Sequence, residues 1–291
     1  MATRPLGAGS AARSRSISPN SPSSLTSTLQ EYRLAGGAGV RCYDAAMAIV
    51  IASDVHSNLE ALRAVLAHAA VLGPVDAVWC PGDIVGYGPT PSEVISELRG
   101  RRLVAVAGNH DLAACGRMDT ADFNRAAASA AEWTAGRLSR AELDFLRGLP
   151  MTAVAGDFTI VHGSLREPVW EYLLSGEQAL AQFELQASPY SIVGHSHLPF
   201  WIEEDAGGRT PRFRQPDDGH TLALGERRII INPGGVGQPR DGDPRASYVL
   251  YDDRAATLTW HRVEYDVEET QRKMRLAGLD AWLIERLSVG Q

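Results

Sequence analysis

Residues 47–59 read Met47-Ala48-Ile49-Val50-Ile51-Ala52-Ser53-Asp54-Val55-His56-Ser57-Asn58-Leu59. The run Ala48–Ala52 has the length and the β-branched content of a buried strand. It stops abruptly in a serine, a carboxylate and an imidazole. Asn58 is a good helix N-cap, and Leu59, Leu62, Val65, Leu66 and Ala69 then recur at helical spacing. Strand, polar turn and helix together form the first half of a βαβ unit, which makes the chain an α/β protein.

The same rhythm continues outward. Strand-like runs are expected at 48–53, 76–80, 102–107, 158–162 and 190–194. Thr90-Pro91-Ser92-Glu93 reads as a capping box with proline at the first helical position, opening a helix to about Arg99. Ser139 with Glu142 opens another, and 120–137 is alanine-rich and helical. After residue 198 strands dominate, at 199–203, 221–231, 246–252 and 257–265, and a terminal helix is expected over about 267–288. The polar stretch 205–220 reads as a hairpin or flap. βαβ units first and strands later imply a layered sheet sandwich.

Each strand of the first half ends in side chains that bind metals. Asp54-Val55-His56 follows the first, and residues two apart at a strand end face the same way. Gly82-Asp83 follows the second, Gly108-Asn109-His110-Asp111 the third, His162-Gly163 the fourth and Gly194-His195-Ser196-His197 the fifth. Any one of these is more often a turn or a surface pair than a site. Together they hold five of the eight histidines, and the carboxyl ends of sheet strands converge on one edge. His68, His220 and His261 lie elsewhere and read as structural.

Asp54, His56, Asp83, Asn109, His162, His195 and His197 are too many ligands for one tetrahedral ion but suit two. Carboxylate, amide and imidazole donors without thiolate fit Mn, Fe, Zn or Ni, with Mn favoured. Two divalent ions, two carboxylates and a hydroxide leave a centre of about +1, which attracts a phosphoryl group. Such pairs generate hydroxide at neutral pH and clamp the attacking and leaving oxygens of phosphate esters.

Composition sets the boundaries of that reading. The chain has 291 residues, 44% hydrophobic and 22% charged, with no run of the roughly 18 to 20 apolar residues that a membrane helix needs. Net charge is −7. The first 46 residues hold five arginines against two acids, a net +3, which leaves −10 on the remainder. An acidic body argues against an extended nucleic-acid surface. Residues 1–46 are rich in serine and arginine without periodicity and read as a disordered extension, with Met47 a candidate start of translation and 47–291 the folded domain. Three cysteines, Cys42, Cys80 and Cys115, suggest neither a disulfide framework nor a zinc site and point to a reducing, cytoplasmic setting.

The motifs Asp-x-His, Gly-Asp, Gly-Asn-His-Asp, His-Gly and Gly-His-x-His, in that order over roughly 48–265, resemble the calcineurin-like metallophosphoesterases. The resemblance implies a pair of mixed β-sheets flanked by helices. It implies that Asp54, His56 and His197 hold one metal, that Asn109, His162 and His195 hold the other, and that Asp83 bridges them. His110 is then the catalytic histidine and Asp111 orients its imidazole. The implied reaction is hydrolysis of a small phosphodiester by in-line attack of a metal-bridging hydroxide. Many members read Gly-Asp-x-x-Asp-x-Gly, whereas Gly82-Asp83-Ile84-Val85-Gly86-Tyr87-Gly88 has glycine at the second Asp. That departure, and His-Asp in place of His-Glu after Asn109, weaken a Ser/Thr protein phosphatase reading and resemble a compact prokaryotic phosphodiesterase-like subfamily. A non-catalytic scaffold on the same fold is the alternative from another class. Tyr87 and Arg240 are candidate substrate contacts, and Trp170 and Tyr172 candidate stacking rings. The loop 232–245 reads as an amide cradle, a plain glycine-rich connection or a contact between copies in a homo-oligomer.

Overall fold

Residues alternate faces along a strand, and the first strand shows what this achieves. In the computed structural model, which describes residues 48–291 apart from 206 and 208–210, β1 spans Ala48–Ile51. Ile49 and Ile51 point into a core shared by two sheets, while Val50 and Ala52 point outward into a core built with helices. Ile51 is fully buried, so truncation to alanine there should cost about 2–5 kcal/mol. The expected extension 1–46, Met47 and Cys42 lie outside the described residues, as do four positions of the 205–220 stretch.

After β1 come α1 (Leu59–Leu72), β2 (Val75–Cys80), α2 (Pro91–Arg99), β3 (Leu103–Ala105), α3 (Asn109–Ala114), α4 (Arg125–Ala135), α5 (Arg140–Arg147), β4 (Thr152–Ala155), β5 (Phe158–Val161), α6 (Gly176–Leu185) and β6 (Tyr190–Ile192). Then follow β7 (Pro199–Glu203), β8 (Thr221–Ala223), β9 (Ile229–Pro233), β10 (Ala246–Asp252), β11 (Thr257–Val263), α7 (Val267–Ala277), α8 (Ala281–Glu285) and a closing 3₁₀ turn, Arg286–Ser288. One sheet has the order β3-β2-β1-β10-β11-β8 and the other β4-β5-β6-β9-β7. Strands β1, β2 and β3 run parallel, as do β5, β6 and β9, while β10 lies antiparallel to β1 and β7 antiparallel to β9. Both sheets are mixed, and helices cover the two outer faces. Trp79, Phe158, Tyr251 and Trp260 fill the space between them.

Several local expectations are corrected. The run 221–231 is not one strand. It breaks at Gly225-Glu226-Arg227-Arg228, so that β8 joins the first sheet and β9 the second. The terminal helix stops at Gly278, which takes a left-handed conformation, and resumes as α8. The alanine-rich helix starts only at Arg125, capped by the Asn124 side chain. Thr90 forms no capping box. Its Oγ1 donates to Ser57 O at 2.7 Å and accepts from Leu59 N at 3.3 Å, tying the start of α1 to α2. Helices α3 and α6 and strand β4 were not expected from the pattern.

The three remaining histidines have structural partners. His68 Nδ1 lies 2.9 Å from the Tyr248 hydroxyl, His261 stacks on Tyr248, and His220 stacks on Trp201.

Candidate metal centre

The carboxyl ends of five strands meet at one edge of the sandwich. Asp54 and His56 follow β1, Asp83 follows β2, Asn109 opens α3 after β3, His162 follows β5, and His195 and His197 follow β6. All seven side chains are buried, none more than 4% exposed. The ligand atoms of Asp54, His56 and His197 lie within 4.8 Å of one another, as do those of Asp83, His162 and His195. Asp83 stands between the two groups. Its Oδ2 is 3.6 Å from His56 Nε2 and 3.4 Å from His162 Nε2, while its Oδ1 accepts from the His110 backbone N–H at 2.9 Å. Asn109 Oδ1 lies 3.2 Å from His162 Nε2.

Backbone carbonyls fix the imidazoles. His56 Nδ1 is 3.2 Å from Val85 O, His162 Nδ1 is 2.9 Å from Pro81 O and His197 Nδ1 is 2.5 Å from Gln238 O. Each ring then donates outward from Nδ1 and turns Nε2 inward, the usual way a metal-binding histidine is oriented. His56 Nε2 and His197 Nε2 face each other at 3.2 Å. Burial pushes both groups well below the ordinary histidine pKa, so both are neutral and two lone pairs confront one another. The Asp54 carboxylate, 3.3 Å from His197 Nε2, has no hydrogen-bond partner on either oxygen. Buried lone pairs and an unpartnered carboxylate around one point are the chemistry of a cation site, and the donor set fits divalent metal.

The electrostatics follow from burial and crowding. Burial raises Asp54 to about 7. Burial also acts to raise Asp83, but the charge of His162 and its hydrogen bond hold it well below the carboxylate range. Burial would depress His162, yet the charge of Asp83 and its hydrogen bond lift it to about 9. His110 is lowered to about 4 by burial.

Five of these residues have left-handed backbone: Asp54 (φ 53°), His56 (46°), Asp83 (52°), His195 (64°) and His197 (59°). Asp and His tolerate that region better than most residues, at a cost still on the order of 1 kcal/mol each. Two glycines make room for the side chains. A Cβ on Gly108 would lie 2.1 Å from Asp83 Oδ1, and one on Gly86 would lie 2.7 Å from His110 Nδ1. Gly86 therefore has a steric role at the position where the sequence departs from the pattern Gly-Asp-x-x-Asp.

Asp111 behaves differently from its expectation. Its carboxylate accepts from the backbone N–H groups of Gly108 (3.0 Å), Val85 (3.0 Å) and Ile84 (3.2 Å), and His110 Nδ1 has no partner. Asp111 braces the loop behind the site and does not orient the His110 ring. Of the readings of the loop after β9, the amide cradle fails at two residues. The N–H groups of Val236 and Gly237 donate to Ser53 O and Asp54 O at 2.9 Å each, so they cannot cradle an anion, and the plain-connection reading describes them.

A cavity of about 90 Å³ opens beside the cluster, lined by Asp83, Tyr87, His110, Trp170, Tyr172 and Arg240 among others. Tyr87 is buried against His56 and His110, with ring centroids 4.6 and 4.3 Å away. Tyr172 stacks flat on His195 at 4.0 Å, and Arg240 lies over Tyr87 at 5.9 Å. One residue that sequence reading overlooked is Asn232, whose Nδ2 donates to Gly194 O (2.8 Å) and Ser196 Oγ (3.1 Å) and so holds the loop of His195 and His197. A polar residue closing the run Ile229-Ile230-Ile231 was the available signal. No helix among the described residues is long and apolar enough to cross a membrane.

Comparison with known proteins agrees with this geometry. A crystal structure of a metallophosphoesterase from Sphaerobacter thermophilus matches with a TM-score of 0.77 and 46% identity, over 85% of this chain and all of that one. An uncharacterized protein of Methanocaldococcus jannaschii is 35% identical over 84% of this chain and 98% of its own length. A symmetrical bis(5'-nucleosyl)-tetraphosphatase of Vibrio vulnificus is 28% identical over 64% of this chain and 65% of its own. The calcineurin-like phosphoesterase superfamily domain matches residues 47–255. With its two mixed sheets and its Asp/His cluster, the chain belongs to the calcineurin-like phosphoesterase superfamily.

Proposed function

We propose that the chain is a binuclear-metal phosphoesterase acting on small phosphodiesters. The observation that carries this reading is Asp83 Oδ2, set 3.6 and 3.4 Å from histidine nitrogens of the two ligand groups. A carboxylate so shared suits the bridging position between two ions. Asp54, His56 and His197 would hold one ion, and Asn109, His162 and His195 the other. When bound, the ions supply positive charge for phosphoryl oxygens and lower the pKa of water towards neutrality.

The remaining roles fall to the chain itself. His110 presents its imidazole to the cavity, where the negative charge of an arriving phosphodiester favours uptake of a proton from solvent by the ring, which can then pass it to the leaving oxygen. Arg240 supplies a guanidinium on the same wall. The cavity beside the cluster has room for a phosphoryl group. Gly86 in place of Asp favours a small ester over a phosphopeptide. The relative named as a tetraphosphatase supports a small phosphorylated substrate as well.

The test is a Mn²⁺-supplemented screen of bis(p-nitrophenyl) phosphate, p-nitrophenyl phosphate, cyclic nucleotides and a phosphopeptide. The diester should be turned over fastest. No turnover of any of them with several metals would favour a scaffold. We infer further that 47–291 is the folded unit and 1–46 an extension of it, which limited proteolysis of the full chain would test.

A further inference from the structure

The loop that leaves β5 at His162 holds two rings on the cavity wall. Gly163 N donates to Pro168 O at 2.6 Å and Ser164 N to Glu167 O at 3.2 Å. The Ser164 hydroxyl donates to Glu171 Oε2 at 2.5 Å, and Arg166 Nε donates to the same oxygen at 3.3 Å. Glu171 is thus anchored between Trp170 and Tyr172, and both of these line the cavity. Phe123, from the turn before α4, lines it too and meets Trp170 edge to face with ring centroids 5.3 Å apart.

Tyr172 is the ring without a packing purpose. It lies nearly parallel to His195, 15° apart at 4.0 Å, and among the described residues no other ring faces it. Yet it is 42% exposed. A large ring fixed flat on an imidazole of the metal cluster, with area left open to solvent, is a stacking surface in search of a second plane. Two polar residues share the same wall. Asp122 offers an acceptor, and Asn124 accepts from Ala127 N at 2.9 Å through Oδ1, which leaves its Nδ2 to donate. Flat rings beside an acceptor and a donor match a nitrogen heterocycle, whereas an alkyl group matches the rings alone.

We propose that Tyr172, flanked by Trp170 and Phe123, is a stacking platform for an aromatic heterocycle carried by the substrate, so that the preferred esters are those of a nucleoside. This rests on the phosphoesterase reading and narrows its substrate class. A base on the outer face of Tyr172 would stand one contact distance of about 3.5–4.0 Å beyond the ring. That is within reach of a base joined through one sugar to a phosphate at the metal cluster.

Calorimetric titration of the Mn²⁺-loaded protein with adenosine 5'-monophosphate and ribose 5-phosphate isolates the base, since the two carry the same phosphate on the same sugar. The wild type should bind the nucleotide at least about tenfold more tightly. Tyr172→Ala should reduce that ratio to near one. Tyr172→Phe should keep it, because stacking does not use the hydroxyl. No preference for the nucleotide in the wild type, or a preference unaltered in Tyr172→Ala, overturns the platform. Equal weakening of both ligands does so too, because it marks lost support for His195 and no contact with the base. A Tyr172-dependent preference without hydrolysis of any ester upholds the platform and sinks the phosphoesterase reading. Hydrolysis without the preference does the reverse.

Discussion

Gly86 lies against the imidazole of His110, so closely that a Cβ there would stand 2.7 Å from Nδ1 and 2.9 Å from Cβ and Cγ. With φ at +99°, Gly86 also occupies backbone that side chains rarely adopt. Gly86→Ala should displace the ring and lower kcat by about 10²-fold, the scale of a lost general acid. His110→Ala should do the same, and both variants should keep their metal when measured by elemental analysis. Loss of metal along with activity would make His110 a ligand.

Asp83→Asn should empty both metal positions together. The substitution removes the charge shared by the two histidine groups and leaves the His110 N–H to Oδ1 bond possible. Metal-to-protein ratios after gel filtration decide the matter, and loss of one ion alone would contradict a bridging role.

Metal affinity should depend on pH through His162. In protein stripped by a chelator its pKa of about 9 lies above the ordinary 6.5, so a proton occupies the ring at neutral pH and must leave when a cation binds. The apparent association constant should rise by up to about tenfold per pH unit between pH 6.5 and 9. A raised histidine stabilises the folded chain below its unfolded pKa, and that contribution fades as pH climbs towards 9. Stripped protein should therefore lose thermal stability over this window, whereas metal-loaded protein should not. Flat profiles for both would refute the assignment.

Asp111→Asn should act on stability. The side-chain amide retains one acceptor oxygen for three backbone N–H groups, and its NH₂ would face donors. A loss of about 2–3 kcal/mol in denaturant unfolding is expected. Unchanged stability with collapsed activity would restore the role of orienting His110.

Much of this was legible because it is local. Ala48–Ala52, Asn58 and the spacing from Leu59 onward declare β1 and α1 within two dozen residues, and each proposed ligand sits a few positions beyond a readable strand. What escaped depends on contacts between distant parts of the chain. Asp111 looked like a partner of its neighbour His110, but its bonds reach Ile84 and Val85, 27 and 26 positions away. The break between β8 and β9 reflects which sheet each strand joins, and nothing in 221–231 states that. Helix α3 was hidden because Asn109-His110-Asp111 reads first as chemistry.

The left-handed backbone at Asp54, His56, Asp83, His195 and His197 has a consequence for engineering. Glycine would relieve roughly 1–2 kcal/mol of left-handed strain at each position, part of which is offset by the freedom it gives the unfolded chain. A search guided by melting temperature alone would be drawn to these five sites early, and each gain would delete a proposed ligand. Selection for heat resistance, run without an activity screen, should converge on a durable and inert protein.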